Sequence, residues 1–386
     1  MVALHWKIGI CALALAVVLR PAPARAETKP AGSEPSVSAK AAAVVNADDG
    51  AVLYAKNERQ HLAIASTTKI MTALLTLEAA RDENRAVTIS AEMIRVEGSS
   101  MGLRAGDRLT LRDLAAGMLS VSGNDAANAA ALAVAGTQQA FADKMNAKAA
   151  ALGLKDTHFV TPSGLDDGAH YSCAYDMAQL ACAAMKNADF AEIAGKKALR
   201  VRFLSPAVTR TFPNHNKLLS QYAGCNGVKT GFTDKAGRCL VSSAERNGVR
   251  VIAVTLNDPD DWRDHKALLD YGFSKLTGRA FDDSSFRLSL PVAGGAAQSV
   301  AVRGSDGGSR VLRTEEAQGL VRTVELPQFV YAPVEEGQAL GCVRYTAGGV
   351  TVAQTELTAA GNVPRFVQKN WLQKLWEGIR RLFSRR

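Results

Sequence analysis

The sequence predicts an α+β fold: an antiparallel sheet with flanking helices, followed by a small all-β domain and an amphipathic C-terminal helix. Three observations predict it. The 386 residues exceed one ordinary domain and suggest about two. Up to residue 276, tight turns between apolar runs alternate with alanine-rich helical stretches, which fits one mixed α/β layer. Beyond residue 283 the chain changes to short alternating runs separated by glycine pairs, which reads as a β-rich unit.

The elements follow in order. Residues 27–39 are polar, with proline and serine, and read as a linker. The apolar runs 41–45 and 51–54 flank Asp49-Gly50, a tight hairpin signal. Residues 64–81 have a helical pattern, and 109–134 and 140–152 are alanine-rich and read as helices. Runs 227–232 and 239–244 read as two strands across the turn Asp234–Gly237, with a third at 250–256 and a closing helix at 267–273. A β-rich domain over 283–361 then carries strands at 286–290, 299–302, 320–326, 341–345 and 350–357. Its turns include Gly294-Gly295, Gly307-Gly308 and Gly348-Gly349. No long-period repeat interrupts this layout.

The net charge of +9 lies at the two ends. Residues 1–26 carry Lys7, Arg20 and Arg25 with no acid, residues 365–386 carry seven cations against Glu377, and the body between is neutral. A nucleic-acid groove across the body is therefore not expected. Residues 1–26 read as a signal peptide: Lys7, then an apolar run from Ile8 to Leu19, then Ala24-Arg25-Ala26 with small residues at the cleavage positions. After Pro364, the apolar residues Trp371, Leu372, Leu375, Trp376, Ile379, Leu382 and Phe383 recur at helical steps opposite lysines and arginines. The stretch is too interrupted to span a bilayer and suits a helix lying among lipid headgroups, so 364–386 reads as a membrane-associating segment. Outside the leader, five cysteines at irregular spacing form no disulfide framework and read as free buried thiols. Six scattered histidines with no HExxH give no metal or cofactor expectation.

Three short motifs carry chemistry. In Ala65-Ser66-Thr67-Thr68-Lys69, Ser66 and Lys69 stand at i and i+3, on one helical face. A serine hydroxyl needs an adjacent base, and a lysine amine can serve once burial or a neighbouring cation holds it neutral. Ser122-Gly123-Asn124 offers a hydroxyl that can pass a proton to a leaving amine, and an amide able to orient the lysine and a substrate carbonyl. Lys229-Thr230-Gly231 lies in an apolar strand: the lysine can pair with a carboxylate, Thr230 adds a hydrogen bond, and Gly231 leaves room for a second backbone. Each motif alone also fits ordinary structure: a helix N-terminus, a turn, an exposed strand lysine. Their order argues otherwise, since Ser122 follows Ser66 by 56 residues and Lys229 follows Ser122 by 107. That ordered triple is the pattern of serine β-lactamases and penicillin-binding proteins.

From about residue 40 to 275 the chain resembles the D-alanyl-D-alanine carboxypeptidases, the low-molecular-mass penicillin-binding proteins of the DacA/DacF type. Supporting stretches include Gly98-Ser99-Ser100-Met101-Gly102-Leu103, the run from His158 to Asp166, Asn214-His215-Asn216-Lys217 and Gly227-Val228-Lys229-Thr230-Gly231-Phe232-Thr233. The resemblance implies a β-lactamase/transpeptidase-like domain over 40–276. It implies that Ser66 forms an acyl-enzyme with the penultimate D-alanine of a peptidoglycan stem peptide. Lys69 takes the serine proton, Ser122 protonates the departing D-alanine, and Asn124 positions Lys69 and the substrate. Lys229 with Thr230 binds the terminal carboxylate, and the backbone N–H groups of Ser66 and Phe232 form the oxyanion hole. Some members carry histidine where Phe232 stands, so only the backbone role carries over. The implied partners are D-Ala-D-Ala stem peptides, β-lactam inhibitors and the outer face of the cytoplasmic membrane.

A β-lactamase of the class A type would add a glutamate base between the second and third motifs. The only glutamate from 125 to 228 is Glu192, followed by Ile193-Ala194-Gly195, which is not that motif. An endopeptidase or transpeptidase would use the same three motifs and differs in the bond cut or the acceptor. A non-catalytic penicillin sensor is disfavoured because Ser66 and Lys69 are both intact.

Overall fold

The computed structural model describes residues 33–368 and Trp371. The expected signal peptide at 1–26 and most of the tail helix expected at 364–386 lie outside them; residues 364–368, where that helix was expected to begin, are not helical, because Pro364 O and the Phe366 amide bond to the backbone of Ala296 and Gly294.

Five antiparallel strands form the main sheet, in the order Val52–Lys56, Ala41–Asn46, Val249–Leu256, Gly237–Arg246, Cys225–Thr233. The first hairpin closes through Gly50 at φ +74°, where a Cβ would meet the Gln179 side chain, so glycine is required. Strand alternation divides the sheet between two cores. Ala41, Ala43, Val45, Ile252 and Val254 face the larger core, and Ala42, Val44, Val251 and Ala253 face the smaller. The larger core lies beneath the helices Lys69–Asp82 and Ala174–Met185, and the smaller beneath Asp261–Ser274. Among the described residues the outermost strand, Cys225–Thr233, pairs only with Gly237–Arg246, and its other edge borders the functional site.

Several expectations need correcting. Residues 37–39, read as the end of a linker, are packed. Val37 and Ala39 are buried, and Ser38 Oγ donates to Asp258 and Asp264 at 2.8 and 2.7 Å. The helix expected over 109–134 is two helices, Leu111–Ser120 and Asn124–Ala135, parted at Ser122, whose φ is +61°. The closing helix begins at Asp261, six residues before the expected start. The helices Ala174–Met185 and Ala188–Ala194 and the hairpin of Ala198–Leu204 with Ala207–Pro213 were not foreseen.

The C-terminal part contains a six-stranded sheet in the order Val321–Glu325, Ala339–Ala347, Val350–Ala359, Ser299–Gly304, Arg287–Ala293, Val330–Tyr331. The five expected strands are among these. A ribbon of Leu276–Asp282 with Asp306–Arg313 was not expected, and Gly307-Gly308, read as a turn, belongs to its second strand. Leu290, Val292, Val300, Val302, Val343 and Leu357 form the core. Asp283 ties this part together, accepting from Arg322 at 2.7 Å, Tyr345 at 2.9 Å and Thr355 at 2.5 Å.

Candidate active site

Ser66 lies in a short 3-10 turn, Ala65–Thr68, that runs into the helix Lys69–Asp82. The turn is entered through Ala65 at φ +45°, a conformation costly for a residue with a Cβ. It is held by Thr67 and Thr68, whose hydroxyls donate to Ile64 O and Ala65 O at 2.6 and 2.8 Å. Two glycines admit it. A Cβ on Gly164 would come within 2.0 Å of Ala65 O, and one on Gly231 within 3.0 Å of the Ser66 and Thr67 nitrogens.

One helical step on, Lys69 is fully buried, with Nζ 2.9 Å from Ser66 Oγ. The same nitrogen donates to Asn124 Oδ1 at 2.7 Å and to the Ser163 carbonyl at 2.6 Å. Burial holds the Lys69 pKa well below the usual lysine range, and the charge of Lys229 adds to the effect against an opposing pull from Asp125. A neutral amine has two hydrogens and one lone pair. Two acceptors that cannot donate take both hydrogens, so the lone pair faces Ser66, whose hydroxyl donates to it.

Ser122 stands in the break between the helices Leu111–Ser120 and Asn124–Ala135, and Asn124 opens the second. The left-handed turn at Ser122 and the close approach of Gly123 to Met101 set the two side chains side by side. Asn124 Nδ2 donates to Glu97 O at 2.6 Å, which fixes its oxygen toward Lys69. The next residue, Asp125, accepts from Ser100 Oγ and from the Met101 and Leu103 amides, and so pins the 98–103 loop against the site.

Lys229 approaches from the sheet edge. Its Nζ lies 3.1 Å from Ser122 Oγ and donates to Thr230 O at 2.7 Å, and the residue is only 1% exposed. Burial pushes its pKa down to about 7. Lys229 thus lies just beneath the cleft floor, its nitrogen against the Ser122 hydroxyl. A cleft of about 560 Å³ is lined by Ser66, Ser122, Thr230, Gly231 and Phe232, with the exposed Lys217 and the half-buried Arg238 beside Trp262; Arg238 Nη2 donates to both carboxylate oxygens of Asp261 at 2.8 and 3.0 Å.

All eight residues singled out from the sequence thus meet at or beneath one cleft. Reading the sequence missed the Ser163 carbonyl, Asp125, and the group of Lys217, Arg238 and Trp262. It also missed His170, buried with Nε2 2.8 Å from Thr68 Oγ1 and Nδ1 accepting from the amides of Val160 and Thr161. Asp125 directly follows Asn124 and could have been noticed there. A backbone carbonyl leaves no side-chain signature. Glu192 is paired with Arg112 at 2.7 Å and does not line the cleft.

Comparison with known proteins bears on this arrangement. Residues 28–260 match the family model described as D-alanyl-D-alanine carboxypeptidase. The chain is 32% identical over 339 residues to D-alanyl-D-alanine carboxypeptidase DacF of Bacillus subtilis, covering 85% of this chain and 86% of that one. It is similar to the crystal structure of penicillin binding protein 5 from Haemophilus influenzae, with a TM-score of 0.62 and 28% identity over 86% of this chain and 99% of the other. It is also similar to the Streptomyces K15 DD-transpeptidase, with a TM-score of 0.59 and 34% identity over 63% and 99%.

Proposed function

The chain belongs to the D-alanyl-D-alanine carboxypeptidase family, and from that premise we propose how its own residues carry the reaction. The protein is a serine-type D-Ala-D-Ala carboxypeptidase and a penicillin-binding protein. The family acts on peptidoglycan stem peptides ending in D-Ala-D-Ala and binds β-lactams.

In the proposed reaction Ser66 gives its proton to the Lys69 lone pair while Oγ bonds to the carbonyl carbon of the penultimate D-alanine. The oxyanion is held by the Ser66 and Phe232 amides, where each donor contributes about 3–4 kcal/mol to the transition state. As the C–N bond breaks, Ser122 gives its proton to the departing amine and is reprotonated from the lysine that took it from Ser66. Free D-alanine leaves, and water activated by Lys69 cleaves the ester and restores Ser66. Thr230 and the cleft cations receive the terminal carboxylate, with the Lys229 charge acting from below. Gly231 keeps the strand edge close to the turn, so that an extended peptide can pair along it. The observation that carries this reading is the Lys69 amine with both hydrogens engaged, 2.9 Å from Ser66 Oγ.

The test is D-alanine release from a peptide ending in D-Ala-D-Ala, with labelled penicillin as a second readout. Wild type should do both, and Ser66→Ala neither. Retained labelling in Ser66→Ala would overturn the nucleophile assignment, and a protein that binds peptide yet releases nothing would be a sensor. A second reading is favoured by the similarity to a DD-transpeptidase: the acyl group passes to an amine acceptor. A peptide–amine product formed in the presence of glycine would support it.

The layout supports four units: an exported leader at 1–26, a catalytic domain at 40–276, a β-rich domain at 283–361 and a tail that associates with the membrane. Among the described residues no helix is long and apolar enough to cross a membrane. Attachment is assigned to residues 364–386 on their basic, amphipathic sequence, on the wall side of the cytoplasmic membrane.

A further inference from the structure

We propose that the β-rich domain contributes a membrane-docking face, formed by its Phe329 and Tyr331 together with Phe366 and Val367 at the start of the tail, which enters the headgroup layer of an anionic bilayer. The proposal rests on the reading of the tail as membrane-associating.

The face is built by strand alternation. Val330 turns inward to pack on the core of Leu290 and Val292, so its neighbours Phe329 and Tyr331 turn outward. Their rings form an edge-on pair 5.3 Å apart, with Tyr331 74% exposed. The chain leaving the last strand returns to the same place. Arg365 bridges to Gly295, its Nε donates to Ala332 O at 3.2 Å, and the Phe366 amide donates to Gly294 O at 2.8 Å. Phe366 and Val367 therefore emerge beside Tyr331-Ala332, 67% and 73% exposed. Single exposed apolar residues are ordinary, but four large ones on one patch mark an interaction surface.

Charge selects the occupant. From this patch the sequence continues into residues 369–386, which carry six cations against one glutamate, and Arg365 stands on the patch itself. Of the acids just upstream, Glu336 is paired with Arg303. Aromatic rings beside lysine and arginine suit the boundary between headgroups and acyl chains. A tail alone would leave the enzyme free to swivel, whereas two adjoining contacts fix the direction in which the β-rich domain stands.

The experiment measures partitioning of the full chain onto phosphatidylglycerol/phosphatidylethanolamine vesicles by co-flotation. The double variant Phe329→Ser/Tyr331→Ser should bind about tenfold more weakly, the effect of roughly 55 Å² of apolar burial. Its D-alanine release from a soluble peptide should be unchanged, which also reports its folding. An environment-sensitive dye on Tyr331→Cys should shift to the blue when vesicles are added. Wild-type partitioning by the double variant, or no dye shift, would overturn the proposal. Trp371→Ser/Trp376→Ser tests the tail separately. If it abolishes binding while the face variant does not weaken it, the tail reading stands and this one falls. If it leaves binding intact, the tail reading falls and the premise of this proposal falls with it, whatever the face variant does. Dimers without vesicles that Phe329→Ser/Tyr331→Ser dissolves would make the face a contact between copies and refute docking on lipid.

Discussion

Gly231→Ala tests whether the strand edge and the serine turn together make the oxyanion hole. An added Cβ would lie 3.0 Å from both the Ser66 and Thr67 nitrogens and 3.1 Å from Ile64 O, a few tenths of an ångström inside ordinary contact. All three atoms are backbone, so no side chain can swing away, and the strand and the turn must part by that amount. The two proposed oxyanion donors, Ser66 N–H and Phe232 N–H, stand on opposite sides of this contact and would separate with it. Complete loss of one such donor lowers turnover by about 10²–10³. A hole widened by a few tenths of an ångström keeps both donors at poorer geometry, so the expected loss in acylation rate is about 30- to 300-fold. The stability change should be small by comparison. Overpacking costs about 1–3 kcal/mol, partly offset by the lower unfolded-state entropy of alanine, up to about 1 kcal/mol. The assay is the second-order acylation rate with a fluorescent penicillin, beside a urea midpoint. A variant that acylates within about threefold of wild type would place the oxyanion hole elsewhere.

Other outcomes follow from the same geometry. With its pKa pushed down to about 7, Lys229 loses its charge as pH rises through that value. Because that charge attracts the carboxylate and helps keep Lys69 neutral, kcat/KM should fall on the alkaline side and, as Lys69 takes up a proton, on the acid side; a flat profile from about pH 6 to 9 would contradict this. Arg238→Gln should raise KM about tenfold for a peptide with a free terminal carboxylate, leave kcat nearly unchanged, and have little effect on the C-terminal amide; equal effects on both peptides would show that Arg238 does not meet the carboxylate. In the β-rich domain, burial pushes the Asp283 pKa up, but its bonds to Thr355, Arg322 and Tyr345 outweigh this and hold it below the usual carboxylate range. That stabilisation is present above the unfolded pKa of about 3.9 and lost as pH falls through the folded value. Asp283→Ala should cost about 2 kcal/mol in denaturant unfolding, at the low end for a buried pair because Arg322 is partly exposed, without changing the acylation rate.

Legibility in the sequence followed locality. The Ser66–Lys69 pair could be read because i,i+3 spacing on a helix fixes a distance with no knowledge of the fold. Ser122 and Lys229 gained meaning only from their order, since nothing local states that segments 56 and 107 residues apart converge. The break at Ser122 was hidden by good helix formers on both sides, which outweigh one left-handed residue in any propensity sum. The ribbon beginning at Leu276 was lost because its strand Leu276–Asp282 is largely exposed and glycine-containing, and its partner starts 30 residues later. Lys229 was read as a partner for a carboxylate, but its depth was not legible, because strand alternation says which face a residue takes, not what covers that face. Here the cover is Ser122, brought by a helix junction that lies far off in sequence.

The two buried lysines explain why neither motif would work alone. Each nitrogen touches one serine hydroxyl, Lys69 with Ser66 and Lys229 with Ser122, yet their other partners differ. Lys69 meets two pure acceptors and feels the positive charge of Lys229, which leaves it neutral with its lone pair aimed at Ser66. Lys229 meets one pure acceptor, Thr230 O, with burial the sole cause of its lowered pKa, so a nearby anion suffices to keep it charged. A substrate carboxylate arriving above Thr230 would supply that anion. It would secure the proton on Lys229, and the charged Lys229 would in turn keep Lys69 unprotonated. The substrate feature that distinguishes a carboxypeptidase from an endopeptidase, a free terminal carboxylate, would thereby set the protonation state of the base that activates Ser66.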